Sequence, residues 1–211
     1  FKSNLWKQQS AKFEKNVPIK VLPAVGAGGH RMLWNHRRPL KTPSDAKGLK
    51  FRSTRSELGI EMFKSWGANP TPIPWVETYT ALKQGVVDGY HVQAIWTYIA
   101  KMYEVLKYAT EVNAIFAVQF QVLNGNTWAS MPATIQKPFM LAAQEAADIA
   151  NKKDQELEIF FKGKLKEVGM KIYTPSKPEF SKWESAARNV WGGAGKSVPK
   201  SVIDAAVALQ G

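Results

Sequence analysis

The chain has 211 residues, 45% apolar and 11% aromatic, with 15 Gly, 12 Pro and no Cys, a composition that excludes disorder, a collagen-like repeat and a disulfide scaffold. Its formal charge of +12 is concentrated at one end: residues 1–55 carry 13 basic and 2 acidic side chains, the rest 16 and 15. The longest apolar runs, Ala114 to Val118 and Ala205 to Leu209, fall far short of the ~20 residues that cross a bilayer, so no membrane-spanning helix is expected. Without Cys there is no thiolate metal site or cysteine nucleophile, which fits a reducing cytoplasm or a periplasm equally. The chain opens on Phe1, and no basic stretch leads into a long apolar run. A processed or truncated start without a signal peptide is therefore expected.

Leu5, Trp6, Gln9 and Phe13 recur at helical spacing between Asn4 and Asn16, and Pro18 stops that helix. Pro18 to Val25 alternates as a half-buried strand; the glycines at 26, 28 and 29 are expected to break it before a second short strand, His30 to Trp34. A single helical turn at Thr42 to Asp45 precedes a strand at Leu49 to Ser53, and Ser56 caps a helix running to Trp66. Pro70 to Pro74 is extended, and a helix from Trp75 ends at Gly85. Then come a strand at Val86 to Val92, a helix at Ile95 to Val105, and strands at Leu106 to Val112 and Ile115 to Leu123. From Pro138 to Val168 apolar residues repeat near the helical period, predicting one helix roughly 45 Å long. A strand at Lys171 to Thr174 and helices around Phe180 to Trp191 and Pro199 to Leu209 close the chain. Alternating strands and helices predict an α/β architecture.

Catalytic signatures fail one by one. The last glycine of a dinucleotide fingerprint begun at Gly26 falls on Arg31, and Gly195-Lys196-Ser197 lacks the upstream glycine of a phosphate loop. His30, His36 and His91 lack metal-ligand spacing, and Glu77 and Asp88 form no acid/base pair. What stands out is Arg31 and Arg52 on or after short strands, where α/β folds place ligand sites, because arginine captures planar carboxylates bidentately. Pairing of Arg52 with a protein carboxylate is the competing reading. Trp75 lines a cleft or packs in the core, and Trp34, Trp96, Trp128, Trp183 and Trp191 are expected as core or anchoring residues.

Two long segments carry a family resemblance. Pro39-Leu40-Lys41-Thr42-Pro43-Ser44-Asp45-Ala46-Lys47-Gly48-Leu49-Lys50-Phe51-Arg52 resembles the P-I-x-T-P-x-D-L-K-G-L-K-x-R segment of TRAP transporter solute-binding proteins, the DctP-like extracytoplasmic family. The stretch from Gly67-Ala68-Asn69-Pro70 through Glu77, Tyr79, Ala81-Leu82 and Gly85 to Asp88-Gly89 is similar to that family's G-A-x-P-x-P-x-x-x-x-E-x-Y-x-A-L-x-x-G-x-V-D-G.

The resemblance implies a two-lobe α/β periplasmic-binding-protein architecture, type II-like, with a long helix spanning both lobes and the N-terminal part of one lobe absent. Residues 1–25 would be the remainder of that lobe with a hinge strand, 26–125 the ligand-binding second lobe with a hinge crossing near its end, and 126–211 the long helix and C-terminal helices. It implies a periplasmic protein, not an enzyme, that captures a small organic acid and hands it to TRAP membrane permease subunits, without cofactor, metal, nucleic acid or membrane insertion. Arg52 matches the arginine that binds the ligand carboxylate, and Arg31 a second arginine after a one-residue shift. Trp75 matches an often aromatic cleft position, Arg55 a polar one, and Val92 a position where many members carry Asn; His91 beside it completes the candidate set. The change at Val92 points to a less hydroxylated ligand than a sugar acid. The other readings are a basic nucleic-acid-binding domain built on residues 1–55 and a ligand-sensing receptor of the same fold.

Overall fold

The computed structural model describes residues 3–194 and 198–209; Phe1 and the Gly195-Lys196-Ser197 triplet lie outside them. In chain order the elements are α1 (Asn4–Asn16), β1 (Ile19–Val21), β2 (Val25–Asn35), β3 (Lys50–Ser53), α2 (Glu57–Ser65), β4 (Asn69–Pro72), α3 (Thr78–Lys83), β5 (Gly89–Gln93) and α4 (Ala94–Ile99). There follow β6 (Tyr108–Thr110), β7 (Phe116–Gln119), β8 (Val122–Asn124), α5 (Gly125–Ser130), α6 (Ala133–Glu167), β9 (Lys171–Tyr173), α7 (Lys177–Arg188), α8 (Trp191–Ala194) and α9 (Lys200–Ala208). No helix among the described residues is long and apolar enough to cross a membrane.

Four expectations from sequence change. The glycines do not break the strand: β2 runs unbroken for 11 residues. Gly28 and Gly29 take φ of +98° and +78°, and a Cβ on either would strike the side chains of Ile95 and Glu158, so glycine is what lets those side chains close onto the strand. The helix expected through Val105 stops at Ile99, because Lys101 turns left-handed at φ +52° and only a short 3-10 turn follows. The single strand expected at Ile115 to Leu123 is two strands in different sheets, β7 beside β2 and β8 beside β1. Finally α6 starts at Ala133, before Pro138. A proline in the second turn removes one intrahelical bond, while the Ile135 and Gln136 amides already bond to the Pro132 carbonyl. The preceding helix α5, which the sequence did not announce, is capped by Asn124 and tied to α6 by the Gln136 side chain.

The chain divides into two compact units: residues 1–27, 118–156 and 199–211 form one, and 28–117 and 157–198 the other. The first unit holds a two-stranded antiparallel sheet, Lys20 opposite Leu123, with α1, α5, α9 and most of α6. Asn151 on α6 fixes the start of β2 from both sides, accepting from the Gly26 amide at 2.7 Å and donating to the Ala24 carbonyl at 3.3 Å.

The second unit is built on a mixed sheet of order β4-β3-β5-β2-β6-β9, with β7 also pairing β2. β3 runs parallel to β4 and β5, whereas β2 is antiparallel to β5 and β6. Alternate residues face opposite sides, so Met32 and Trp34 join Leu82, Tyr90, Val92 and Leu165 in one apolar cluster while Leu33 joins Phe51, Phe63, Trp66 and Trp183 in the other. Trp34 and Trp183 are core residues, as the sequence suggested. Gly89 is required at the β5 edge, because a Cβ there would land on the Trp34 carbonyl oxygen.

A half-buried ion cluster ties this unit's α6 segment to the sheet. Lys162 bridges Glu158 at 2.6 Å and Glu111 at 2.7 Å, Glu158 also accepts the His30 amide, and Glu111 accepts the Thr174 hydroxyl. Burial works against ionising Glu158, but the hydrogen bonds from His30 and Lys162 prevail and hold its carboxyl at about 2. Its folded value lies below that of the unfolded chain, so its contribution is complete above about pH 4.3 and disappears as pH falls through about 2. Lys162→Met leaves two carboxylates unpaired and should destabilise the protein by about 3 kcal/mol at pH 7. In urea unfolding, the gap from the parent should close as the pH is lowered from about 4.5 toward 2. A gap independent of pH would mean that lost packing of the lysine stem, not the ion cluster, is what the substitution removes.

Candidate functional site

The sheet order brings two arginines to one place. Arg52 on β3 stands level with Tyr90, and Arg31 on β2 is opposite Gln93, so the two approach the end of β5 from its two flanks. The end of parallel strands is where open α/β sheets bind ligands. Both arginines line a cavity of about 330 Å³, together with Thr54, Trp75, His91, Val92, Gln93 and Trp96. All of it lies within the second unit.

Arg52 is anchored by its stem. Its Nε donates to the Ile73 carbonyl at 2.8 Å, its guanidinium carbon lies 5.6 Å from the centre of the Trp75 ring, and Trp75 in turn meets Tyr90 edge-on at 6.2 Å. Its remaining N–H groups have no protein partner, and neither arginine has a carboxylate within ion-pair distance among the described residues. The competing reading of Arg52, pairing with a protein carboxylate, is therefore not what the structure contains. Burial is the main cause lowering the Arg52 pKa from its ordinary value, with the Arg31 charge next; burial lowers that of Arg31. Two desolvated cations without a counter-ion are unfavourable alone and become favourable when an anion joins them.

Behind the guanidiniums is a second, tight space of about 20 Å³, lined by Arg31, Arg52, Ser53, Thr54 and His91 among others. Three buried atoms of these residues, Arg31 Nε, Ser53 Oγ and His91 Nδ1, have no hydrogen-bond partner among the described residues. The His91 Nε2 lies 3.1 Å from the Arg31 carbonyl, so Nε2 carries the proton in the neutral ring and Nδ1 is left as an acceptor. Burial first, and the Arg31 charge second, push the His91 pKa down to about 3. Its ring packs edge-on against Phe63 of α2 and Trp66 just after that helix.

Of the residues singled out in the sequence, Arg52, Arg31, Trp75, Val92 and His91 meet at this cavity. Arg55 does not line it; it is exposed beyond the end of β3. Trp96, expected as a core or anchoring residue, is 40% exposed in the first turn of α4 and forms part of the wall. Thr54 and Gln93 were missed as well. Thr54 follows directly on β3, Gln93 is the last residue of β5 and Trp96 lies in the first turn of α4, so all three sit at or just past a strand end, a positional signal that residue type alone does not carry. Asp88 has its own partners: it accepts from the Lys50 amide at 2.8 Å and Arg37 Nε at 2.7 Å. Burial opposes its ionisation, but these two donors outweigh it and hold the carboxyl below its ordinary range.

The family model described as bacterial extracellular solute-binding protein, family 7 (DctP) matches residues 1–196. The 2,3-diketo-L-gulonate-binding periplasmic protein YiaO of Escherichia coli is 33% identical over 158 residues, covering 74% of this chain and 47% of that protein. A TRAP periplasmic solute-binding protein from Shewanella oneidensis, solved with bound succinate, superposes with a TM-score of 0.86 at 30% identity, covering 98% of this chain and 67% of that one. Another, from Ochrobactrum anthropi, whose C-terminus is bound in its ligand-binding pocket, gives 0.91 at 25% identity over 98% and 64%. The chain belongs to the family of bacterial extracellular solute-binding proteins, family 7, and has the α/β fold of TRAP periplasmic solute-binding proteins. It spans about half the length of the curated relatives it matches.

With His91 neutral down to about pH 3, the charge of the cavity is constant across the neutral range. The affinity of a ligand held in this cavity, measured by titration calorimetry, should therefore show no inflection near pH 6.5, the ordinary histidine value. Stability should behave differently. The unfolded chain binds a proton at His91 below about pH 6.5 and the folded chain only near 3, so this residue's contribution is complete above 6.5 and declines as pH falls between those values. His91→Gln should flatten that part of the stability profile in urea unfolding; an unchanged slope would mean that His91 is protonated in the folded protein.

Proposed function

We propose that the protein is the substrate-capturing component of a TRAP-type secondary transporter, an extracytoplasmic receptor of the periplasm. It binds a small organic acid by clamping the carboxylate between Arg31 and Arg52 and delivers it to the membrane permease subunits. The observation that carries this reading is the pair of guanidiniums lining one cavity with no protein carboxylate to neutralise them. Fork-shaped donors that are always charged suit a planar carboxylate, and Trp75 holds the Arg52 plane in place. The names of the relatives agree in kind, since both 2,3-diketo-L-gulonate and succinate are organic acids.

The cavity offers nothing for bond-making. Among its lining residues there is no carboxylate, and its histidine is neutral with Nε2 directed at a backbone carbonyl, so no acid/base pair faces a substrate. The reading therefore assigns capture rather than acid/base catalysis. The nucleic-acid alternative has less support, because six of the thirteen basic residues of 1–55 have other partners or line the cavity. In the basic segment Lys20 pairs with Glu14, Arg37 with Asp88, Lys50 with the Gly85 carbonyl and Arg38 with backbone oxygens, while Arg31 and Arg52 face the cavity. Charge used in this way forms no stripe for a phosphate backbone.

A thermal-shift screen against mono- and dicarboxylic acids should give a selective rise in melting temperature, because ligand that binds only the native state stabilises it. Arg52→Ala should weaken the responding acid by about two orders of magnitude or more without loss of fold, and Arg52→Lys should lose most of the affinity because the fork is gone. Trp75→Ala should cost more in affinity than in melting temperature. Salt-sensitive retention on DNA, with no acid response, would contradict the reading.

A further inference from the structure

We propose that the acid is a monocarboxylate with a compact apolar tail, branched or aromatic, rather than a sugar acid or a dicarboxylate; this rests on the carboxylate-binding reading above. The cavity lining combines two kinds of group: the cations Arg31 and Arg52, with Arg52 against the Trp75 ring, and the apolar residues Trp75, Trp96 and Val92. Trp96 is the informative residue. It belongs to neither apolar cluster of the fold and leaves 40% of its surface exposed, directed into a wall of this cavity. A large indole at such a place gains its contacts only when an apolar group lies against it.

The remaining polar side chains of the lining are Thr54, Gln93 and the neutral His91. A sugar acid brings a hydroxyl on nearly every carbon, and those facing Trp75, Trp96 and Val92 would be buried without partners. Each such hydroxyl weakens binding by roughly tenfold. A dicarboxylate fares no better. Arg31 and Arg52 line the same cavity, and once both are engaged by one carboxylate no further cation among the described lining residues is left for a second. An apolar tail meets neither difficulty, since it exchanges water for two rings and a methyl pair.

The test is titration calorimetry of the full-length protein with four probes: 4-methyl-2-oxopentanoate, 3-phenylpropanoate, succinate and D-glucuronate. At least one of the first two should bind about tenfold or more tightly than either of the others. Val92→Asn adds an amide to the apolar wall and should narrow that preference. Val92 is buried, so if this variant fails to fold, Trp96→Ala at an exposed position decides the matter by lowering affinity for the apolar acids about tenfold while shrinking their advantage. Equal or tighter binding of succinate or D-glucuronate, or a Trp96→Ala loss shared equally by all four acids, overturns the apolar-tail assignment and leaves the carboxylate clamp standing. Silence toward every acid from a folded protein overturns the clamp itself.

Discussion

Two guanidinium groups brought to the end of β5 from the strands on either side of it, with no carboxylate among the described residues to balance them, are the constraint on which the second unit depends. Like charges brought together and partly desolvated oppose folding, so the surroundings must hold each in place by other means. Arg52 is held by the Ile73 carbonyl and the face of Trp75, and Arg31 by its position in β2, whose backbone carbonyl engages His91. The neutral state of His91 belongs to the same balance. A third positive charge there would add to the repulsion, and burial together with Arg31 keeps the ring unprotonated until about pH 3.

That arrangement needs β5 between β3 and β2, and the sheet obtains it through mixed pairing. β3 meets β5 in parallel and β2 meets β5 antiparallel, which aligns Arg52 with Tyr90 and Arg31 with Gln93. The glycines serve the same end at particular places: Gly89 lets β5 lie against the Trp34 carbonyl, and Gly28 and Gly29 let Ile95 and Glu158 close on β2 just before Arg31. Lys162 then joins the α6 segment of this unit to the sheet through Glu158 and Glu111. The functional side chains thus sit on strands and helix starts fixed by packing on both faces, the condition for a preformed site.

Much of this was legible in the sequence where a local rule decides the outcome. The α1 limits follow from apolar spacing and Pro18, the α2 cap from Ser56, and the candidate arginines from their position at strand ends and from the family segment that ends on Arg52. The readings that failed are those in which tertiary contact outweighs local signal. Glycines that look like a break in β2 are the contact surface for two neighbouring side chains, and the apolar run at Ile115 to Leu123 is shared between two sheets because pairing partners, not propensity, divide it. The place of Trp96 was not legible for the opposite reason. Its apolar character suggested a core or anchoring residue, and only the turn from β5 into α4 brings it to the cavity.

The most direct test of the central claim is a crystal structure of the protein with an acid that stabilises it. The account predicts both carboxylate oxygens within about 2.7–2.9 Å of guanidinium nitrogens, with Arg31 and Arg52 each contributing a charge-assisted hydrogen bond. A ligand carboxylate bound elsewhere, with the two arginines facing only solvent, would contradict it.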